Sequence, residues 1–276
     1  MSTIYWSANQ EAFLVKVGEP IGLIYGFIND GFYTVDDFNY DPVTKAYTIK
    51  DGVPRYVSVT QKPGDLKFKD LGGELDSKGN PLITPADDRT IIGKTQPKFF
   101  GGLNNNFSYR NFDLSVFVNY SIGNDVLNAN KILYTSGYST NRNLLAVMRG
   151  YFTYINDQGE YVTDPDALSE LNKDAKIWAP ERELPRRVYS WAVENGSFLR
   201  INNITFGYTL PKVVSQKIKI DNLRIFATGY NLFLFTKYSG FDPEVNGVRS
   251  TPYTPGVDQS SYPKSGSFIA GLNIIF

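Results

Sequence analysis

The 276-residue sequence contains no cysteine and no histidine. Without cysteine there is no disulfide framework, thiolate zinc site, iron–sulfur ligation or thiol nucleophile. Without histidine the commonest general base and transition-metal ligand is missing. A Ser-His-Asp or Cys-His enzyme is therefore excluded. An excess of one charge is missing too: 28 Lys+Arg offset 28 Asp+Glu, and the basic residues are scattered, so nothing supplies the electrostatic footprint of nucleic-acid binding. No apolar run approaches the ~18 residues that suggest a membrane helix. The segment Met1-Ser2-Thr3-Ile4-Tyr5-Trp6 lacks the basic and apolar regions of a secretory signal. That leaves either a cytoplasmic protein or a piece of a longer exported chain.

What is abundant is aromatic: 19 Phe, 19 Tyr and 3 Trp, beside 24 Gly, a composition that favours strands. If this chain meets a membrane, it does so with strands of ~10 residues that turn one apolar face to lipid and a polar face to a lumen. Segment 111–121 fits best, with Phe112, Leu114, Val116, Val118 and Tyr120 alternating with Asn111, Asp113, Ser115, Phe117, Asn119 and Ser121, one face wholly apolar and the other nearly all polar. Segment 99–109 alternates similarly, and Tyr109-Arg110-Asn111-Phe112 is short enough to make the two a hairpin. Three more strands are expected at 198–210, where the pattern is mixed and stops at Pro211, at 222–235, and at 267–276, where Phe268, Ala270, Leu272, Ile274 and Phe276 share a face. A sixth is possible within 11–28. The connections 110–111 and 211–221 are short, whereas 36–98, 123–197 and 236–265 are long and rich in Gly, Pro, Asn, Asp and Tyr. Outer-membrane barrels show this alternation of short turns and long outer loops. Asp164-Pro165-Asp166 opens the one helix-like segment, 164–176.

Several blocks resemble a known family. Asn195-Gly196-Ser197-Phe198-Leu199-Arg200-Ile201-Asn202-Asn203-Ile204-Thr205-Phe206-Gly207-Tyr208 is followed by Leu223-Arg224-Ile225-Phe226-Ala227-Thr228-Gly229-Tyr230-Asn231-Leu232-Phe233. Then come Tyr238-Ser239-Gly240-Phe241-Asp242-Pro243-Glu244 and Tyr262-Pro263. Upstream stand Val17-Gly18-Glu19-Pro20-Ile21-Gly22 with Tyr25-Gly26-Phe27, then Pro63-Gly64-Asp65, Asp87-Asp88-Arg89-Thr90-Ile91-Ile92-Gly93 and Pro97-Lys98-Phe99. In this order the blocks are similar to the C-terminal portion of SusC/RagA-type TonB-dependent outer-membrane transporters. The resemblance implies an all-β fold in which residues 1–276 are the C-terminal segment of a large antiparallel transmembrane β-barrel, about five to six strands with long extracellular loops. The family's barrel has twenty-two strands and a plug; here the plug and the TonB-contacting segment are absent from the chain. The implied function is TonB-dependent nutrient import across the cell outer membrane, of oligosaccharide or peptide. The implied partners are a SusD-like surface lipoprotein, TonB through the missing N-terminal region, and the barrel-assembly machinery.

Gly271, Ile274 and Phe276 stand in the arrangement of the barrel-assembly signal that the family carries, a glycine followed by two hydrophobic residues two apart. The polar residue usual two places before the glycine is Ile269 here. No catalytic, cofactor or metal residue is assigned. The pairs Asp36/Asp37 and Asp87/Asp88 read as turn acids rather than glycosidase carboxylates. Between Asp70 and Asp88 the spacing of a calcium loop is broken by Leu75-Asp76-Ser77-Lys78-Gly79-Asn80. The aromatic residues read mainly as lipid-facing and girdle side chains. For Tyr151, Tyr154, Trp178 and Trp191 the competing reading is that they stack on a sugar or grip a peptide. A different class also fits the composition, a soluble β-sandwich that binds carbohydrate through exposed aromatics.

Overall fold

A computed structural model describes residues 2–7, 10–57, 59–135, 141, 143–180, 187–247 and 252–276, so parts of the long connections 123–197 and 236–265 lie outside the described residues. The chain forms two compact units.

One unit comprises residues 94–126, 194–247 and 260–276. It is built on five antiparallel strands in sequence order: β1 (Phe99–Tyr109), β2 (Phe112–Ile122), β3 (Phe198–Thr209), β4 (Asn222–Thr236) and β5 (Ser267–Ile275). The five segments expected from period-2 patterning are all present, with bounds shifted by a residue or so. β1 and β2 pair from Phe99↔Ile122 to Tyr109↔Phe112 without interruption. Arg110 closes their turn in the left-handed region, at φ 55°. The 211–221 connection, expected to be short, carries a short helix, Lys212–Lys217.

The mixed pattern of β3 has a structural cause. Phe117 pairs Asn203, but Val118 pairs Ile201, so Asn202 is an extra residue on β3. The bulge reverses the face parity of the strand. Leu199 and Ile201 on one side of it, and Ile204, Phe206 and Tyr208 on the other, all stand opposite the apolar row Tyr120, Val118, Val116, Leu114 and Phe112. A strict two-residue count across Asn202 mixes the two faces.

The other unit comprises residues 1–93, 127–193 and 248–259. It corrects two expectations. Segment 11–28 does not add a sixth strand to the five: it holds Gln10–Val15 and Leu23–Phe27, which pair antiparallel in a separate four-stranded sheet. Segment 36–98 is not simply loop, since it forms the hairpin Phe38–Asp41 with Ala46–Ile49 and several short strands. This unit has a true core, in which Phe13, Ile24, Phe68, Ile83, Leu127 and Ile132 are buried. The expected helix 164–176 is shorter, Pro165–Leu171. Asp164 caps its start by accepting from Ala167 N (3.0 Å). Asn172 ends it, its amide donating to Leu168 O and Thr153 O (2.9 and 2.8 Å).

Candidate functional site

The site is the five-stranded sheet itself, whose two faces differ in kind. One face carries apolar rows that run across the strands: Val118 beside Ile201 and Phe233, Phe206 beside Ala227, Ile225 beside Leu272. These side chains are not packed away. Leu103 is 58 % exposed, Leu272 60 % and Phe268 82 %. A soluble sandwich would cover this face with a second sheet, so the soluble carbohydrate-binding alternative does not fit. An uncovered apolar surface of this extent marks a membrane or protein interface.

The opposite face is mostly polar, although Phe117, Phe226, Ile269 and Ile275 share it. Thr205 and Thr228 share a hydroxyl hydrogen bond of 2.9 Å between β3 and β4. Asp113 on β2 accepts from Nε and Nη2 of Arg224 on β4 (2.9 and 2.6 Å), a fork that passes over the intervening β3. Gly207 makes the crossing possible, because a β-carbon there would lie 2.4 Å from Asp113 Oδ1 and 2.5 Å from Arg224 Nη2. Near the other end of β3, the third charged residue of the five strands, Arg200, donates from Nη2 to Asp242 Oδ1 (2.6 Å) and from Nε to Glu244 Oε2 (2.8 Å).

Both sheet edges are unpaired among the described residues, β1 on one side and β5 on the other. Lipid cannot satisfy such edges, so spanning a membrane requires further strands to close the sheet. The strand ends are also unequal. The 110–111 turn, the 210–221 connection and Phe276 share one end; the 123–197 and 237–266 connections leave from the other. No helix of the described residues is long and apolar enough to cross a membrane.

The predicted site residues fall as follows. Gly271 lies on the polar face of β5, opposite Phe226, while Ile274 lies on the apolar face opposite Leu223. Phe276 follows the end of β5 and is 88 % exposed. Trp178, offered to a sugar by the sequence, is buried against Tyr189 and Trp191 at ring separations of 5.6 and 5.1 Å. Tyr154 stacks on Tyr161 (5.3 Å) and donates to Pro63 O; Tyr151 stays exposed. Asp37 accepts from Thr34 N and Asp88 from Leu71 N, Gly72 N and Thr84 N, so these acids organise loops. Among the described residues no group of three or more acids is placed to hold a metal ion. The sequence reading missed the Arg200 cluster; its signal was a lone charge in a strand otherwise without one.

No protein-family model matches the chain. Among curated proteins it is 32% identical over 268 residues to "TonB-dependent receptor P3" of Formosa agariphila, covering 95% of this chain and 23% of that protein. It is 28% identical over 208 residues to "TonB-dependent receptor SusC" of Bacteroides thetaiotaomicron, covering 73% of this chain and 17% of SusC. The chain thus spans about a quarter or less of the length of these relatives. Among solved structures, the RagAB peptide importer in its closed-closed state matches with a TM-score of 0.64 at 20% identity, over 95% of this chain and 24% of the importer chain.

Proposed function

Because the chain corresponds to a segment of a TonB-dependent receptor of the SusC/RagA type, an outer-membrane protein, we propose that residues 1–276 furnish the C-terminal barrel strands and outer loops of a nutrient importer. Its solute is an oligosaccharide or a peptide, and its chemistry is binding and passage. The plug and the TonB contact belong to parts of the receptor outside this chain. A SusD-like lipoprotein caps the loop end, and Gly271, Ile274 and Phe276 present β5 to the barrel-assembly machinery. The observation that carries this reading is the open five-stranded sheet, with its apolar face exposed and both edges unpaired among the described residues. Lipid on one face and neighbouring strands at both edges would satisfy it; water would not.

The reading is tested by uptake of labelled oligosaccharides and peptides in cells with and without the full-length receptor, and again without TonB. Uptake of at least one solute is expected to need both. A receptor whose deletion changes the uptake of neither class would contradict the importer reading.

A further inference from the structure

The Arg200 cluster does more than balance a charge. Arg200 is 3 % exposed, and the partners of its guanidinium lie on the connection after β4. Asp242 Oδ1 takes Nη2 and Glu244 Oε2 takes Nε, while the Glu244 backbone N–H returns to Asp242 Oδ1 at 2.9 Å. The descending limb of the same connection joins in: Lys264 Nζ donates to Glu244 Oε2 (2.7 Å) and Lys264 N to Asp242 Oδ2 (3.4 Å). Two cations and two anions close on each other. Further bonds pin the limbs along their length. Ser239 gives its N–H and hydroxyl to Glu194 (3.0 and 2.7 Å), Thr236 Oγ1 donates to Ser197 O (2.8 Å), and Asn231 Nδ2 reaches Ser265 O (3.0 Å).

Arg200 stands on the polar face, opposite Asn119. On the barrel reading given above, on which this inference rests, that face is the inner wall. We propose that Arg200 fastens both limbs, 237–247 and 260–266, against the inner wall at the loop end, making them a stationary ledge that narrows the mouth rather than a lid that swings during transport. The physical reason is the guanidinium. Lifting a limb would break together the charge-assisted bonds from Arg200 to Asp242 and Glu244 and those from Lys264, which belong to the strong class of hydrogen bond. Phe241, 83 % exposed, lies on the ascending limb one residue before the anchor acid. Its side chain is available to a protease, but cleavage of its backbone needs the limb to lift.

Two measurements on the full-length receptor in outer membranes test the proposal. The first uses the unaltered protein: a zero-length carbodiimide coupling should join Glu244 to Lys264, found as a cross-linked peptide by mass spectrometry. The second is chymotrypsin cleavage after Phe241, which follows the population of the lifted state when opening is fast. Arg200→Gln and Glu244→Gln should each raise its rate by roughly tenfold or more, with normal amounts of heat-modifiable barrel. A missing Glu244–Lys264 product, or cleavage unchanged in an assembled variant, overturns the ledge. If Arg200→Gln does not assemble, Glu244→Gln and the cross-link of the unaltered protein decide. Failure of the barrel reading would show separately, as unaltered receptor without heat-modifiable mobility.

Discussion

Phe226 lays its ring over Gly271 on the neighbouring strand: a β-carbon at position 271 would lie 2.4 Å from Phe226 Cζ and 2.7 Å from Cε1. The two residues are direct partners across β4 and β5, on the polar face. Gly271, proposed above as part of the assembly signal, has a packing role in the sheet, in which an aromatic ring covers a strand glycine and holds the register of the last strand. Gly271→Ala must displace that ring. We expect a loss of about 1–3 kcal/mol, seen as a lower melting temperature of the heat-modifiable barrel. With Phe226→Leu in the background the added loss should shrink, because the pair is coupled.

Phe276 separates packing from recognition. Following β5 and largely exposed, it has little to pack against in this unit. Deleting it from the full-length receptor should lower the amount of heat-modifiable barrel in the outer membrane while synthesis and the melting temperature of what assembles stay the same. Normal assembly of both the deletion and Phe276→Ser would remove Phe276 from the assembly signal.

Asp88 is fully buried, with Oδ1 accepting from Leu71 N (2.6 Å) and Gly72 N (3.0 Å) and Oδ2 from Thr84 N (2.6 Å). Asp88→Asn keeps the shape but turns an amide N–H₂ toward backbone donors that need an acceptor. A loss of about 1–3 kcal/mol is expected, read as faster proteolysis within 70–90. Unchanged protease resistance would mean that other bonds hold this loop.

Alkaline pH should loosen the unit that contains Tyr47. Burial first, and then the neighbouring Tyr40, Asp164 and Tyr161, push its hydroxyl up to about 12, and it donates to Thr163 O at 2.7 Å. A folded-state value raised above the ordinary 10.0 gives stability that is present below pH 10 and lost as pH rises toward 12. Tyr33 is shifted the same way, chiefly by its own burial. Tyrosinate absorbance should therefore show a late-titrating component that Tyr47→Phe removes. Titration of every tyrosine near the ordinary value would contradict the buried setting.

The spanning strands were legible because period-2 alternation states directly which face meets which surroundings. Phe268 to Phe276 could be sorted by eye. The sorting failed at β3, where one inserted residue, Asn202, exchanges the faces; a bulge leaves no mark in composition. The small strands within 36–98 were missed because their pairings, such as Arg55 with Leu82, are short and join segments far apart in sequence. The Arg200 cluster was hidden for the same reason, since 42 residues separate Arg200 from Asp242. Trp178 shows the converse error: a loop aromatic offered to a ligand is instead part of a core.

The claim on which the account depends is that the two faces of the five strands meet lipid and lumen. Single cysteines in the full-length receptor, spin-labelled in lipid bilayers, measure this through their relative accessibility to oxygen and to a water-soluble nickel chelate. Labels at Leu103, Ile201, Ile204, Phe206 and Leu272 should all report lipid, Ile201 and Ile204 despite their odd spacing; labels at Asn104, Thr205 and Asn273 should report water. Equal accessibility on the two faces, or water at Leu103 and Leu272, would contradict the membrane-spanning sheet.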